Sequence, residues 1–230
     1  MTSNGTDPYT FFPAGQPAPD FTLTAVKSGL EISPKSCAGM VLGLVFHGRE
    51  TVQAVVEINT AVRPVYPEPK PVVLVSVIDL SVVPRFLQRA VKPKLEQAYD
   101  QAAREIPKGY NPVDYVFLLP DWNGSVTKTF KAKGTDKTAA IVVIDPAGRV
   151  TGSYQGPQPG DAALALVRKA LNGDSVATRK AAVAGGIKPK LNRLMVLVTS
   201  SSAGLTPGKN LRKPNQRKTR PRLMRSNRMP

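Results

Sequence analysis

The sequence predicts an α/β fold, a central mixed sheet with helices on both faces, followed by a basic C-terminal extension. Three observations predict it. Short apolar runs of strand length alternate with stretches of helical apolar spacing. One pair of runs is joined by DPAG (Asp145 to Gly148), a turn in residue type and length, so the sheet is mixed and not all parallel. The charge is also lopsided. The formal net charge is +16, and Arg179 to Pro230 holds 14 of the 32 Lys and Arg and none of the 16 Asp and Glu. The preceding 178 positions are therefore close to neutral, with 18 basic and 16 acidic residues. That asymmetry reads as a basic arm on an ordinary domain.

A chain of 230 residues, 41% of them hydrophobic, is long enough for one domain with a sizeable core plus extensions. No apolar run approaches the roughly 20 residues that span a bilayer. The start, MTSNGTDPYTFFPAGQPAPD, lacks a basic segment followed by an apolar one. No transmembrane segment and a cytoplasmic location are therefore expected. A lone Cys forms no internal disulfide, and one Cys with one His makes no metal-ligand set, so neither metal nor cofactor is expected.

Residues 1–15 read as a polar, loosely held N-terminal arm, residues 16–173 as the folded domain, and residues 174–230 as a largely extended basic tail. Phe21-Thr-Leu-Thr alternates as a half-buried strand does, and Leu30 to Ile32 returns as its short partner. Met40 to Phe46 is apolar enough for a central strand. Gly48 breaks the pattern, and from Glu50 the positions Val52, Val55, Val56, Ala61 and Val62 fit one helical face. After the Pro-rich connector Pro64 to Pro71 comes a second buried strand, Val72 to Ile78, ended by Asp79. Val83 to Glu105 reads as helix, with Pro84 suited to a first turn and Pro93 to a kink or break.

Tyr115 to Leu119 is a short strand followed by the loop PDWNG, in which Trp122 is read as a packed anchor. Ser125 to Lys133 is a short helix ending at Gly134. Ala139 to Ile144 and Arg149 to Tyr154 are the two arms of the hairpin around DPAG. A last helix runs from the capping residue Asp161 to Asn172, with Leu164, Val167 and Leu171 as its stripe and Gly173 as its stop.

GQPAPDFTL (Gly15 to Leu23), LVFHGRETVQAV (Leu44 to Val55) and TAAIVVIDPAGRVTGSYQG (Thr138 to Gly156) together resemble the thioredoxin superfamily, nearest to its redoxin branch of alkyl hydroperoxide reductase/thiol-specific antioxidant proteins and their thiol-disulfide relatives. The resemblance covers roughly residues 16–173. It implies a thioredoxin-like fold and a Cys at the start of the first long helix, where amide N–H groups and nearby cations stabilise the attacking thiolate. This sequence has Thr51 at that place and Ala54 where a second Cys belongs. The resemblance further implies a cis-proline or an arginine just before the third buried strand, where Ala139 stands. Thiol peroxidase or oxidoreductase chemistry is therefore expected to be lost, and the domain is expected to work as a binding or assembly subunit.

Two other readings stay open. Cys37, in SPKSCAGM, is a candidate thiol whose pKa Lys35 would lower if the side chains meet, although a small buried hydrophobe is the plainer reading of a free Cys. His47, Arg49 and Glu50 form the remaining polar corner, suited to a small anionic ligand or a partner beside a helix start.

The tail contains Arg212, Lys213, Arg217, Lys218, Arg220, Arg222, Arg225 and Arg228, and no aromatic residue follows Tyr154. It therefore has no stacking platform for bases. It suits polyanions: an acidic protein partner or larger assembly, a nucleic-acid backbone, or an anionic lipid surface. Leu191 to Val198 is its one apolar stretch, fit for a further strand or a docked anchor.

Overall fold

The computed structural model describes residues 9–184, with side-chain surroundings over 9–173. In chain order the elements are β1 (Leu23–Thr24), β2 (Glu31–Ile32), β3 (Val41–His47), α1 (Val52–Val62), β4 (Val72–Asp79), a single 3₁₀ turn (Arg85–Leu87) leading into α2 (Gln88–Arg104), a second 3₁₀ turn (Pro112–Asp114), β5 (Leu118–Asp121), α3 (Ser125–Thr129), β6 (Ala140–Ile144), β7 (Val150–Tyr154) and α4 (Pro159–Ala184). β1 and β2 form a small antiparallel pair. The main sheet has the order β5-β4-β3-β6-β7. β3, β4 and β5 are parallel, with α1 and α2 as the crossovers, and β6 and β7 run antiparallel. A βαβ half followed by a hairpin and a closing helix, joined through β3 and β6, is a thioredoxin-like fold.

Alternation along the strands builds two core layers. Leu42, Leu44 and Phe46 of β3, with Val73, Val75 and Val77 of β4 and Ala140, Val142 and Ile144 of β6, face Phe12, Ile32, Cys37, Val126 and Phe130. Val41, Val45, Val72, Leu74, Ile141 and Val143 point the other way, under Ile58 and Val62 of α1 and Ala163, Val167 and Ala170 of α4. Removing each such valine, leucine, isoleucine or phenylalanine side chain from water contributes about 1.5–3 kcal/mol. Gly160 lets the two helices close up, because a Cβ there would stand 2.9 Å from the Glu57 carbonyl oxygen. α2 packs differently. Its Tyr99 joins Val116 and Leu118 in a third cluster beside β5.

Several expectations are corrected. The arm is not loose from Tyr9 onward. Ser153 Oγ accepts the Phe11 and Phe12 amides at 3.1 and 2.7 Å and donates to the Phe12 carbonyl at 3.0 Å. The Gly15 amide donates to Val150 O, the Val150 amide to Gln16 O, and the Gln155 amide to Tyr9 O. The aromatic pair Phe11-Phe12 was the overlooked signal: Phe12 is buried against Phe130 at a ring separation of 5.3 Å. β5 starts three residues later than expected and takes in Pro120 and Asp121. It pairs only with β4, and an edge strand tolerates proline.

α3 stops at Thr129, well short of Gly134. Phe130 turns into the core, and Lys131 takes the left-handed conformation (φ 59°) that closes the helix. The Ala132 amide reaches Thr127 O and the Lys131 amide reaches Lys128 O, a Schellman closure with lysine at the position glycine usually holds. Pro93 lies inside α2 on an exposed surface and does not end the helix.

α4 continues through Gly173 to Ala184, so Gly173 is not its stop. Glycine inside a helix costs only about 1 kcal/mol relative to alanine, and the residues after it, DSVATRKAAVA, are largely helix formers. Leu191 to Val198 and the eight tail cations from Arg212 to Arg228 lie outside the described residues.

Candidate functional site

The C-terminal ends of the parallel strands are where an α/β sheet usually presents its chemistry. Here β3 ends at His47, the chain turns over Gly48, Arg49 and Glu50, and α1 begins after Thr51. Gly48 is required by proximity: a Cβ on it would lie 2.9 Å from Asp136 Cα. That close approach joins the β3–α1 turn to the loop entering β6.

Thr51 cross-links the two segments. Its hydroxyl accepts the Gly48 amide at 2.9 Å and donates to the Thr135 carbonyl at 2.6 Å. The Gly48 amide also reaches Thr135 O at 3.0 Å. Thr51 stands at the N-cap of α1 yet makes no side-chain bond to that helix. The hydroxyl proton is thus committed to a backbone acceptor, and no general base receives it. Ala54, one turn on, adds only a methyl group, and its amide bonds back to Thr51 O at 3.1 Å.

His47 is not that base. It is buried, 5% exposed, with Nδ1 3.0 Å from the Gly48 carbonyl, which makes Nδ1 the donor and leaves the hydrogen off Nε2 in the neutral ring. Burial pushes its pKa below the ordinary 6.5, a shift that the bond to Gly48 only partly offsets. Arg49 and Glu50 are exposed. The expected corner therefore divides into a buried imidazole and two solvated charges. The ion pairs among the described residues are elsewhere, Lys27 with Asp100 and Lys35 with Asp20. Surface cavities of about 550 and 460 Å³ run along α2 and between α1 and α4, and neither is lined by His47, Arg49, Glu50 or Thr51.

Cys37 occupies the opposite end of the sheet. It precedes β3, and the seven residues of that strand alone span roughly 20 Å. The thiol is buried within the first core layer. Burial pushes its pKa up, while weaker bonds to Ser36 and to the Ser33 backbone pull the other way. Lys35 does not lower it; that ammonium faces Asp20 at 3.8 Å. A raised pKa and a closed surface are the reverse of what an attacking thiolate needs.

Two structural residues escaped the sequence reading. Gln155 Nε2 donates to Lys133 O at 2.7 Å and Thr138 O at 2.8 Å, fixing the loop that carries Thr135. Asp121, fully buried, accepts the Thr127 amide at 2.8 Å and its hydroxyl at 3.0 Å, which holds the first turn of α3. An acidic residue six positions before a threonine, across a glycine, was the available signal for the second. Nothing in the sequence marks the first. Ala139 is buried at the entry to β6, where it presents neither a proline ring nor a cation, and the cis peptide among the described residues is Lys70–Pro71.

No protein-family model matches the chain, and no curated protein does. Solved structures do. A putative thiol:disulfide interchange protein DsbE from Chlorobium tepidum is 19% identical, with a TM-score of 0.49 over 70% of this chain and 99% of that one. The mitochondrial 2-Cys peroxiredoxin from Plasmodium falciparum is 17% identical, with a TM-score of 0.48 over 71% and 96%. BsSco, a member of the Sco family of cytochrome c oxidase assembly proteins, is 17% identical, with a TM-score of 0.46 over 70% and 97%. On its own strand order, this chain has a thioredoxin-like fold in which Thr51 joins the β3–α1 turn to the loop that enters β6.

Proposed function

We propose that this domain is a redoxin-like module without thiol chemistry, acting as a binding or assembly subunit that its basic tail tethers to an acidic partner or a nucleic-acid backbone. The observation that carries the reading is the engagement of Thr51. A hydroxyl that accepts from Gly48 and donates to Thr135 holds two loops together, and a group so engaged is a structural cross-link. Cys37, buried and held in its thiol form, offers no replacement nucleophile. The purified protein is expected to consume neither peroxide nor a model disulfide above the buffer rate, and Cys37→Ser is expected to change nothing. Turnover that vanishes in Cys37→Ser overturns the reading.

The tether has its own measurement. Replacing Arg212, Lys213, Arg217, Lys218, Arg220, Arg222, Arg225 and Arg228 with Gln in the full chain removes eight cations. Affinity for a duplex DNA or an acidic polypeptide is expected to fall, together with its salt dependence. For DNA the logarithmic slope is about −0.9 per phosphate contact. An unchanged affinity at equal ionic strength removes the tail from the reading.

A further inference from the structure

A second binding surface lies on the domain itself, and it owes nothing to the thiol question. Among the described residues, the most exposed large hydrophobic side chains are Val82 at 86% and Phe86 at 80%, with Leu87 beside them at 45%. All three lie in the short passage from β4 to α2. The turn is built to protrude. The Val83 amide bonds to Leu80 O and the Leu87 amide to Pro84 O, closing the chain on itself, and no residue from Ser81 to Lys94 is buried. The first residue of α2 to enter a core is Leu95.

The charge of this segment is as one-sided as its polarity. From Leu80 to Leu95 it carries Arg85, Arg89, Lys92 and Lys94 and no acidic residue. All four cations are exposed, and none takes part in the ion pairs among the described residues. Of the acids that flank it, Asp79 accepts the Ser81 amide at 2.9 Å, and Glu96, one turn beyond Lys92, takes part in no ion pair among the described residues.

Exposed apolar side chains in one segment with four exposed cations call for an occupant that is both apolar and anionic. A second copy of this surface presents the same cations and repels it. An amphipathic acidic peptide needs a groove with half-covered walls, whereas side chains exposed at 80% and above stand on a convex surface. A lipid surface accepts a convex projection: its acyl boundary takes the apolar tips and its phosphates take the cations. We propose that the β4–α2 turn docks this domain on an anionic membrane, with Val82, Phe86 and Leu87 entering the headgroup region and Arg85, Arg89, Lys92 and Lys94 meeting lipid phosphates. Such contact is peripheral, and no described helix is long and apolar enough to cross a membrane.

The experiment is co-sedimentation of the full chain with vesicles of phosphatidylcholine, with and without phosphatidylserine, comparing wild type with Val82→Ser/Phe86→Ser. The tail is intact in both, so its electrostatic attraction cancels. Wild type is expected on the phosphatidylserine vesicles, and the double variant is expected to bind them roughly tenfold more weakly. Both side chains are exposed, so the variant is expected to keep its melting temperature. Phe86→Trp is expected to shift its emission to the blue on those vesicles, after subtraction of the Trp122 signal from wild type. Equal binding of the two proteins, or no blue shift, overturns the proposal. So does a polyglutamate peptide whose binding the double variant weakens while vesicle binding is untouched, or a wild-type dimer that the double variant splits.

Discussion

The two ends of β3 hold opposite arrangements. At the N-terminal end is the sole thiol, inside the core and held in its protonated form. At the C-terminal end is a polar corner at the start of α1, the setting that activates a thiol, occupied by a hydroxyl. Each end has one half of what thiol chemistry requires, and roughly 20 Å of strand separates them. The lesson is that a helix start of the kind that lowers a thiol pKa can carry a structural hydroxyl instead. That position is not idle, because Thr51 bonds two loops that would otherwise be held mainly by the Gly48–Thr135 backbone bond.

Thiol accessibility gives the largest contrast. Cys37 is expected to react with a thiol reagent at least about a hundredfold more slowly in the native chain than in the denatured one, since labelling requires opening of the core. Thr51→Cys is expected to add one fast-reacting thiol under native conditions. Native Cys37 labelling at the denatured rate breaks the comparison at its N-terminal end.

Next come the loops at the other end. Gly48→Val drives a side chain toward the Asp136 backbone and is expected to cost about 2–3 kcal/mol in denaturant unfolding. Thr51→Val removes both hydroxyl bonds and leaves the Thr135 carbonyl with the Gly48 amide alone, for about 1–2 kcal/mol. Thr51→Ser keeps the hydroxyl and is expected to retain most of that stability. If Val and Ser behave alike, the hydroxyl is no cross-link.

The smallest effect is a pH slope. Burial holds the folded-state pKa of His47 below 6.5, so near and below that pH the unfolded chain binds more protons than the folded one. The stability due to the neutral ring is complete above about pH 6.5 and is lost as pH falls through the lowered folded-state value. His47→Gln is expected to flatten this slope relative to wild type, measured as the difference between their melting temperatures across pH. Identical slopes place the imidazole in water.

The frame was legible because its signals are periodic and local. The apolar runs at Val41, Val72 and Ala140 each span a strand that is covered on both faces, and DPAG specifies its own turn, with Asp145 Oδ1 accepting the Ala147 and Arg149 amides. That position 51 carries a hydroxyl and not a thiol was equally plain. What the sequence hid were bonds between distant segments. Thr51 meets Thr135 across 84 positions, and Ser153 meets Phe12 across 141. Neither pairing leaves a trace in composition or spacing. The end of α3 was misjudged for a related reason: a glycine at 134 is a stronger local stop than a lysine at 131, yet burial of Phe130 among Phe12, Phe21 and Phe46 decides where the chain must turn.

The docked N-terminal segment also bears on how this protein behaves at high concentration. An open sheet has two outer strands whose free amides and carbonyls invite pairing with another molecule, the first step of aggregation. On β7 the two ends of that row are taken: Gly15, Gln16 and Tyr9 occupy the Val150 and Gln155 backbone, and Pro17 bridges to Arg149. On β5 the strand is four residues long and contains Pro120, which has no amide hydrogen to offer. One border is covered and the other is blunted. Removal of residues 9–17 would expose the β7 border alone, turning a self-contained sheet into one able to recruit copies of itself from a single side.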